Sequence, residues 1–286
     1  MTKTSIARPA QLNLTDDGIR VAGIRELTPH LTRFTFEGET LADFEMTGPC
    51  SYIKLLFPVP GHEKTGLPRL SDNVMAWNKA YLAMPDHLRP PMRTYTIRAI
   101  RRELGELDVD FVMHTNGGPG TRWASGAKKG DRLTFLGPRS MHTDPDYRSG
   151  QLLIGDDSGL PSIGTIIDGL PEGTVAHAYL EVEGPQDEIT FDTKGNVEIT
   201  WVHRGAAPHG EAVVEALRQG AVPESGFHAW IFGERNLVKF ARRQLVQERG
   251  VDKRSITFSG YWRRGLSEDQ VRDIELKAGE VDQIED

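Results

Sequence analysis

The stretch QLLIGDDSGLPSIGTIIDGL, residues 151–170, decides the fold of the C-terminal half. It begins with a short apolar run that predicts a buried strand, passes through the glycine-rich turn 155–159 and continues in a helical pattern from Leu160. The alternation then repeats, with strands predicted over 175–182, 197–202, 228–232 and 256–259 and helices over 210–218 and 236–249. Such alternation is typical of the α/β class, a mostly parallel sheet with helices on both faces.

The N-terminal half has a different pattern, in which short runs of alternating apolar and polar residues are separated by turn residues. The six predicted strands lie at 18–27, 31–37, 51–58, 93–100, 106–113 and 131–138. Strands of this number and spacing favour an antiparallel barrel or sandwich. The long connection 59–92 contains Trp77 and Tyr81 at helical spacing, which predicts a short helix within it.

A polar segment around residues 141–150 separates the two patterns. We therefore predict two domains, an all-β domain over 1–145 and an α/β domain over 146–286. The acidic tail carries Val271 and Ile274 at helical spacing, so we expect the second domain to end in a helix.

Composition excludes several classes of function. The 286 residues contain 34 Lys and Arg against 41 Asp and Glu, a net charge of −7, whereas nucleic-acid or anionic-membrane binding requires excess cations. The single cysteine, Cys50, excludes an intramolecular disulfide and a cysteine-ligated metal centre within one chain, and it fits a reducing cytoplasm. The histidines show no metal-ligand spacing, so we expect no metal site. Without a signal-peptide pattern or a long apolar run, we expect a cytoplasmic protein with no membrane insertion.

Two predicted strands of the α/β half end in polar turns. Ile154 leads into Gly-Asp-Asp-Ser-Gly, and Phe232 leads into Gly-Glu-Arg-Asn. Ligands of open α/β sheets bind at the carboxyl ends of the strands, where helix N-termini present backbone amides. The first turn is not the G-x-S-x-G of a serine hydrolase, so it indicates ligand binding rather than nucleophilic catalysis.

Three further runs suit ligand binding, and each also has a purely structural interpretation. In RTYTIR (93–98), Arg93 and Tyr95 share one strand face, which suits a phosphate beside a flat ring. The alternative is an edge strand with solvated arginines. In NGGPGTRWA (116–124), the glycines allow backbone amides to come close to a phosphate. The alternative is a plain turn. The run matches neither the G-x-G-x-x-G motif nor a Walker A loop. In SGYWRRG (259–265), aromatic and cationic residues bind an anionic or ring-shaped ligand, or the aromatics pack on the core.

The order of these motifs along the chain is more specific than any one of them. RTYTIR, DFVMH, GPGTRWA, GDRLTFLGPR, GDDSGLPSI, GER and GYWRRG follow one another between Arg93 and Gly265. This series resembles the siderophore-interacting protein family, FAD-dependent ferric-siderophore reductases related to the ferredoxin–NADP reductase superfamily. The resemblance implies a six-stranded antiparallel β-barrel that binds FAD, followed by an α/β domain with a mostly parallel sheet that binds NAD(P)H.

The resemblance also implies roles for individual residues. Arg93 would hold the FAD pyrophosphate, Tyr95 would lie against the isoalloxazine, and Thr96 would bind near its N5 edge. The full set of implied cofactor-binding residues is Arg93, Thr94, Tyr95, Thr96, Asp110, Phe111, Val112, His114, Gly120, Thr121, Trp123, Ala124, Asp156, Ser158, Tyr261 and Trp262. The family turn often has the sequence GDETALPAI, from which this chain departs at Asp157, Ser158, Gly159 and Ser162.

The expected function is transfer of electrons from NAD(P)H through FAD to a ferric siderophore, which releases Fe(II) in the cytoplasm for iron assimilation. The flavin carries the chemistry, so we expect no side chain to act as acid or base. An anionic ferric siderophore requires cations, for which the resemblance indicates Lys54, Arg139, Arg263 and Arg264. The alternative is that these four residues only solubilise the surface.

Two other functions remain open from the sequence. One is a related flavin reductase that serves a protein carrier or a small organic acceptor, and the other is a siderophore-binding flavoprotein without turnover. NADH, NADPH and reduced ferredoxin all remain open as the electron donor. Arg235, Arg242 and Arg243 lie near a strand end but form no clear 2′-phosphate cluster. We expect a monomer.

Overall fold

The computed structural model describes residues 18–44, 46, 48–59, 61, 66–68, 74–114, 117–140, 150–223, 226–271 and 274. The chain forms two compact units. One comprises Met1–Arg25 and Thr32–Asp144, and the other comprises Glu26–Leu31 and Pro145–Asp286. Residues 141–149 lie outside the described ranges, so the boundary between 145 and 146 stays a prediction. No helix in the described ranges is both long and apolar enough to cross a membrane.

The N-terminal domain, hereafter the β-domain, is built on one seven-stranded sheet. Its strands are β1 (Ile19–Thr28), β2 (Leu31–Glu37), β3 (Tyr52–Leu56), β4 (Met92–Thr96), β5 (Ala99–Arg101), β6 (Glu106–Val112) and β7 (Arg132–Arg139). They lie in the order β4-β3-β7-β1-β2-β6-β5. The β1/β7, β3/β4, β3/β7 and β5/β6 pairs are antiparallel. Two helices accompany the sheet, α1 (Val74–Leu82) and α2 (Pro119–Gly126).

The fold class is confirmed, but the prediction of six strands is wrong by one. The run predicted as one strand over 93–100 is divided into β4 and β5, which occupy opposite edges of the sheet. Between them the chain changes partner: the amide of Ile97 donates to the Ser51 carbonyl, whereas the amide of Arg98 donates to the Asp108 carbonyl, both at 2.8 Å. Because two residues join the two edges, the sheet closes on itself as a barrel.

Aromatic side chains dominate the inside of this barrel. Phe34, Phe36, Phe57 and Phe111 are at most 1% exposed and pack around Trp123 of α2. The helix predicted from Trp77 and Tyr81 is confirmed as α1. Its two rings stack at 5.4 Å and cover a second apolar cluster formed by Leu56, Met92 and Leu136.

The C-terminal domain, hereafter the α/β domain, is built on a five-stranded sheet. Its strands are β8 (Gly150–Gly155), β9 (Val175–Val182), β10 (Asn196–His203), β11 (Phe227–Glu234) and β12 (Ile256–Trp262). They lie in the order β10-β9-β8-β11-β12, and all four neighbouring pairs are parallel. The helices are α3 (Leu160–Asp168), α4 (Glu211–Gln219) and α5 (Arg235–Gln247).

The parallel sheet confirms the predicted α/β class. Leu152, Leu153 and Ile154 of β8 are fully buried, as a continuous apolar run requires when both sheet faces are covered. The chain order reverses between β8 and β11, which is where such sheets bind their ligands. The predicted elements are recovered with one notable change: β12 runs on to Trp262, so Tyr261 and Trp262 belong to a strand. The expected terminal helix is seen at residues 268–271, and most of the tail lies outside the described residues.

Candidate functional site

Strand β4 places Arg93 and Tyr95 on the same face of the β-domain sheet. They lie opposite Leu55 and Ile53 of β3, which are both fully buried. The Tyr95 ring lies 4.3 Å from the ring of Phe111, measured between centroids. The alternation predicted from the sequence is therefore present, with Arg93 and Tyr95 on one face of β4 beside two buried aliphatic residues of β3.

Helix α2 presents its first turn to Tyr95. A Cβ atom added at Gly120 would overlap the Tyr95 hydroxyl and approach the Phe57 ring to 3.3 Å. The helix begins with Pro119, and Gly118 before it is extended and offers no side-chain cap. First-turn amides have no acceptor within their own helix, and the positive end of the helix dipole favours an anion.

This arrangement fits the group that the sequence predicts here. The glycines let a phosphate approach the backbone, the α2 N-terminus supplies donors, and Arg93 and Tyr95 supply a cation and a flat aromatic surface. The donor set therefore suits the pyrophosphate and ring system of FAD. The assignment of individual residues to FAD stays a prediction.

The rest of α2 fixes the helix on the barrel. The Trp123 ring lies 5.5 to 6.2 Å from four phenylalanine rings of the core. The Thr121 hydroxyl donates to the Val112 carbonyl of β6 at 3.2 Å, and Ala124 is buried. These three α2 residues, predicted from the sequence to bind cofactor, are thus anchored to the barrel and position the N-terminal turn.

Strand β6 contributes residues of two kinds. Phe111 belongs to the core, but Asp110 points to the opposite face and forms a two-point ion pair with Arg33 of β2, at 2.6 and 2.8 Å. Sequence reasoning missed Arg33, because its partner is 77 residues away. His114 lies exposed beyond the strand, and its carbonyl accepts from the amide of Gly117 at 3.2 Å, next to the α2 turn.

Two of the predicted substrate-binding cations share the other face of the sheet. The Lys54 ammonium donates to the hydroxyl of Thr94 at 2.9 Å. Tyr52 of β3, two residues before Lys54, pairs with Thr96 of β4 on one side and with Arg139 of β7 on the other. Residues paired directly across strands point to the same face, so Arg139 and Thr96 share the face of Tyr52. Thr94 and Thr96 therefore lie on this basic face, away from the Arg93 and Tyr95 side.

In the α/β domain, Asp156 is a buried hub. Its first carboxylate oxygen accepts from the Ser158 amide (3.0 Å), the Ser158 hydroxyl (2.6 Å) and the Gly159 amide (3.3 Å). Its second oxygen accepts from the Glu234 amide (2.7 Å) and the Trp262 indole (3.1 Å). One fully buried side chain thereby ties together the ends of β8, β11 and β12. Asp156, Ser158 and Trp262, predicted separately from the sequence, are brought together here.

The end of β12 carries the remaining predicted residues. The Tyr261 hydroxyl lies 2.7 Å from the Ser162 hydroxyl, and the Tyr261 ring stacks on Phe232 at 5.5 Å. Arg263 and Arg264 follow β12 on an exposed turn. The backbone amide of Arg264 donates to the Glu234 carboxylate at 3.3 Å. Both guanidinium groups thus lie at the protein surface.

A charged cluster that sequence reasoning missed occupies the carboxyl ends of β8, β9 and β10. Arg204 is 8% exposed, and its guanidinium hydrogen-bonds Glu183 and lies 3.5 Å from Glu181 and 3.8 Å from Asp157. Burial, reinforced by the charge of Asp156, raises the pKa of Asp157 to about 7. Burial also raises the pKa of Glu181. The signal in the sequence was the placement of charged residues at, or one to three residues after, the ends of predicted strands.

No group of three His, Cys, Asp or Glu side chains is arranged to hold a metal ion within the part of the chain that the structure describes. Cys50 is buried.

Comparison with known protein families gives two adjoining matches. Residues 20–142 match the siderophore-interacting FAD-binding domain, and residues 148–265 match the siderophore-interacting protein domain. The two matches fall on the β-domain and on the α/β domain, respectively.

Individual proteins are similar along most of the chain. The ferric vibriobactin reductase ViuB of Vibrio cholerae is 29% identical, over 85% of this chain and 88% of its own. The NADPH-dependent ferric-chelate reductase of Escherichia coli is 28% identical, over 85% of this chain and 91% of its own. The crystal structure of a siderophore utilization protein from T. fusca is 33% identical, with a TM-score of 0.78 over 91% of this chain and 95% of that one.

Proposed function

Since the chain belongs to the siderophore-interacting protein family, we propose that it is a reductase that passes electrons from NAD(P)H through FAD to a ferric siderophore. The observation that carries the proposal is the packing of Gly120 of α2 against Tyr95 of β4, which places a glycine turn against an aromatic ring on the strand that also carries Arg93. The reaction releases Fe(II), and we place it in the cytoplasm, in keeping with the single buried cysteine.

The residues that hold FAD in this proposal are Arg93 and the α2 turn for the pyrophosphate, and Tyr95 for the ring system. FAD, when bound, supplies the exchange between a two-electron donor and a one-electron acceptor. The chain supplies binding, orientation and exclusion of water, because Phe57, Phe111 and Trp123 form an apolar wall behind Tyr95. No side chain needs to transfer a proton to the iron complex.

The substrate is a ferric chelate whose hard oxygen ligands bind Fe(III) more tightly than Fe(II), so that reduction favours release. Such chelates are often anionic, and a cationic surface attracts them. Lys54 and Arg139 on the outer face of the β-domain sheet, and Arg263 and Arg264 after β12, supply cations of this kind.

We expect the purified protein to be yellow, with flavin absorbance near that of free FAD. Under anaerobic conditions, NADH or NADPH bleaches this absorbance, and addition of a ferric siderophore restores it while an Fe(II) indicator develops colour. A colourless protein that cannot be reconstituted with FAD contradicts the proposal. A flavin that is reduced but not reoxidised by ferric chelates indicates a different electron acceptor.

Removal of the surface cations should impair turnover of an anionic substrate selectively. In Lys54→Ala and Arg264→Ala, we expect kcat/KM for an anionic ferric siderophore to fall about tenfold, because the loss of a charge-assisted contact costs about 1.5 kcal/mol. Turnover of a neutral dye should change little. Lys129→Ala removes an exposed cation elsewhere on the β-domain and serves as the matched control. Equal losses for both acceptors would show that the two cations do not contact the substrate.

A further inference from the structure

The charged cluster around Arg204 lies where the parallel sheet should bind a dinucleotide. Asp157 follows β8, Glu181 and Glu183 lie at the end of β9, and Arg204 follows β10. In open α/β sheets the carboxyl ends of the strands next to the reversal point form the ligand crevice. An acidic side chain at the end of the second strand in such sheets binds ribose hydroxyls, whereas an available arginine accommodates a 2′-phosphate.

Arg204 is not available for a phosphate. Its guanidinium faces the carboxylates of Glu183, Glu181 and Asp157, so one positive charge is surrounded by three acidic groups. Two of the three arginines that the sequence offers near this strand end, Arg242 and Arg243, are directed elsewhere. The guanidinium of Arg242 lies 4.6 Å from the centre of the Phe258 ring, and Arg243 donates to Gln247. They lie two turns along α5, roughly 10 Å from its N-terminus.

Within the described residues, the cluster also contains a buried donor with no hydrogen-bond partner. This donor is Nη1 of Arg204, whose side chain is 7% exposed. A buried donor left unsatisfied is costly, so an acceptor that reaches Nη1 when the side chain shifts is strongly favoured. Nδ1 of the neighbouring residue His209, 3.8 Å from Glu181, likewise has no hydrogen-bond partner.

A ribose hydroxyl matches this site and a phosphate does not. A hydroxyl accepts from the Arg204 donor and at the same time donates to a carboxylate of Asp157 or Glu183. A 2′-phosphate has acceptors only and carries nearly two negative charges, so it meets the carboxylates as a like charge. Burial first, and the charge of Asp156 second, raise the pKa of Asp157 to about 7, so this environment already disfavours negative charge.

We propose that Asp157, Glu183 and Arg204 bind the adenosine ribose of the electron donor through its hydroxyls, so that this chain uses NADH in preference to NADPH. The inference rests on the proposed function, because it names the donor that the reductase accepts. A preference for NADH would also distinguish this chain from the Escherichia coli ferric-chelate reductase, whose name specifies NADPH.

The test compares the binding of 5′-ADP and 2′,5′-ADP to the FAD-loaded protein by calorimetry, alongside kcat/KM for NADH and NADPH. We expect 5′-ADP to bind at least about tenfold more tightly, since like charges placed together in a binding site are strongly unfavourable. In Glu183→Gln the ratio of the two affinities should fall toward one. Glu215→Gln is the matched control, because Glu215 is similarly exposed and also pairs with an arginine, Arg218 at 2.6 Å. This control should leave the ratio unchanged.

Equal binding of the two nucleotides, tighter binding of 2′,5′-ADP, or an unchanged ratio in Glu183→Gln overturns the inference. Absence of binding by either nucleotide also overturns it. The proposed function is judged separately, by whether dithionite-reduced protein passes electrons to a ferric siderophore. The binding ratio does not depend on that reaction, so the two failures are distinguishable.

Discussion

Gly120→Ala is expected to yield a protein that purifies without flavin. The new methyl group would overlap the hydroxyl of Tyr95 and lie 3.2 Å from its Cζ, so the ring must move away from α2. Overpacking of this kind costs about 1–3 kcal/mol. Because the displaced ring has to return for FAD to bind, that cost enters the binding free energy and raises the Kd for FAD about ten to a hundred times. Reconstitution of the apoprotein, followed by flavin fluorescence, measures the loss.

Two further variants separate this effect from a general disturbance of α2. Gly126→Ala changes the other end of the same helix, where a Cβ meets nothing within 4 Å, and it should retain FAD. Combining Gly120→Ala with Tyr95→Phe removes the hydroxyl that causes the overlap and should restore much of the binding. A Gly120→Ala protein with full flavin content would refute the assignment of this turn to the cofactor.

Asp156→Ala is expected to destabilise the α/β domain by about 3–5 kcal/mol. The substitution leaves the amides of Ser158 and Glu234 and the indole of Trp262 without their acceptor. The buried amide of Glu234 left unpaired costs about 1–3 kcal/mol, and the partly buried Ser158 amide and Trp262 indole cost about 1 kcal/mol each. Since whole domains are stable by only about 5–15 kcal/mol, the loss is a large fraction of the total.

Denaturant titration followed by tryptophan fluorescence measures this loss. We expect the transition of the α/β domain to move to lower denaturant while that of the β-domain stays in place. Asp192→Ala, which removes an exposed carboxylate from the same domain, is the control and should change stability little. A shift no larger in Asp156→Ala than in Asp192→Ala would show that the hub contributes little.

The parts of the fold that depend on local patterns were predictable from the sequence. The apolar run Leu152–Ile154 had to be a strand buried on both faces, and the spacing of Trp77 and Tyr81 had to place both rings on one side of a helix. The alternation on β4 also followed from the two-residue period of strands. In each case the information lies within a few residues of chain.

The remaining features depend on partners that are distant in sequence. The division of one predicted strand into β4 and β5 arises because Ile97 and Arg98 bond to different neighbours, and their side chains give no sign of it. The donors to Asp156 include residues 78 and 106 positions away. Arg204 looks like a free cation in the sequence, and only the structure shows the carboxylates that surround it.

The closure of the barrel has a thermodynamic consequence. The two residues that join β4 to β5 directly follow the strand that carries Arg93 and Tyr95, so the closure of the barrel and the strand proposed to bind FAD are one piece of chain. In the proposed function FAD is held by that strand, so its binding free energy should stabilise the folded β-domain against unfolding. On the proposed function, the thermal stability of the β-domain should therefore rise with the concentration of FAD.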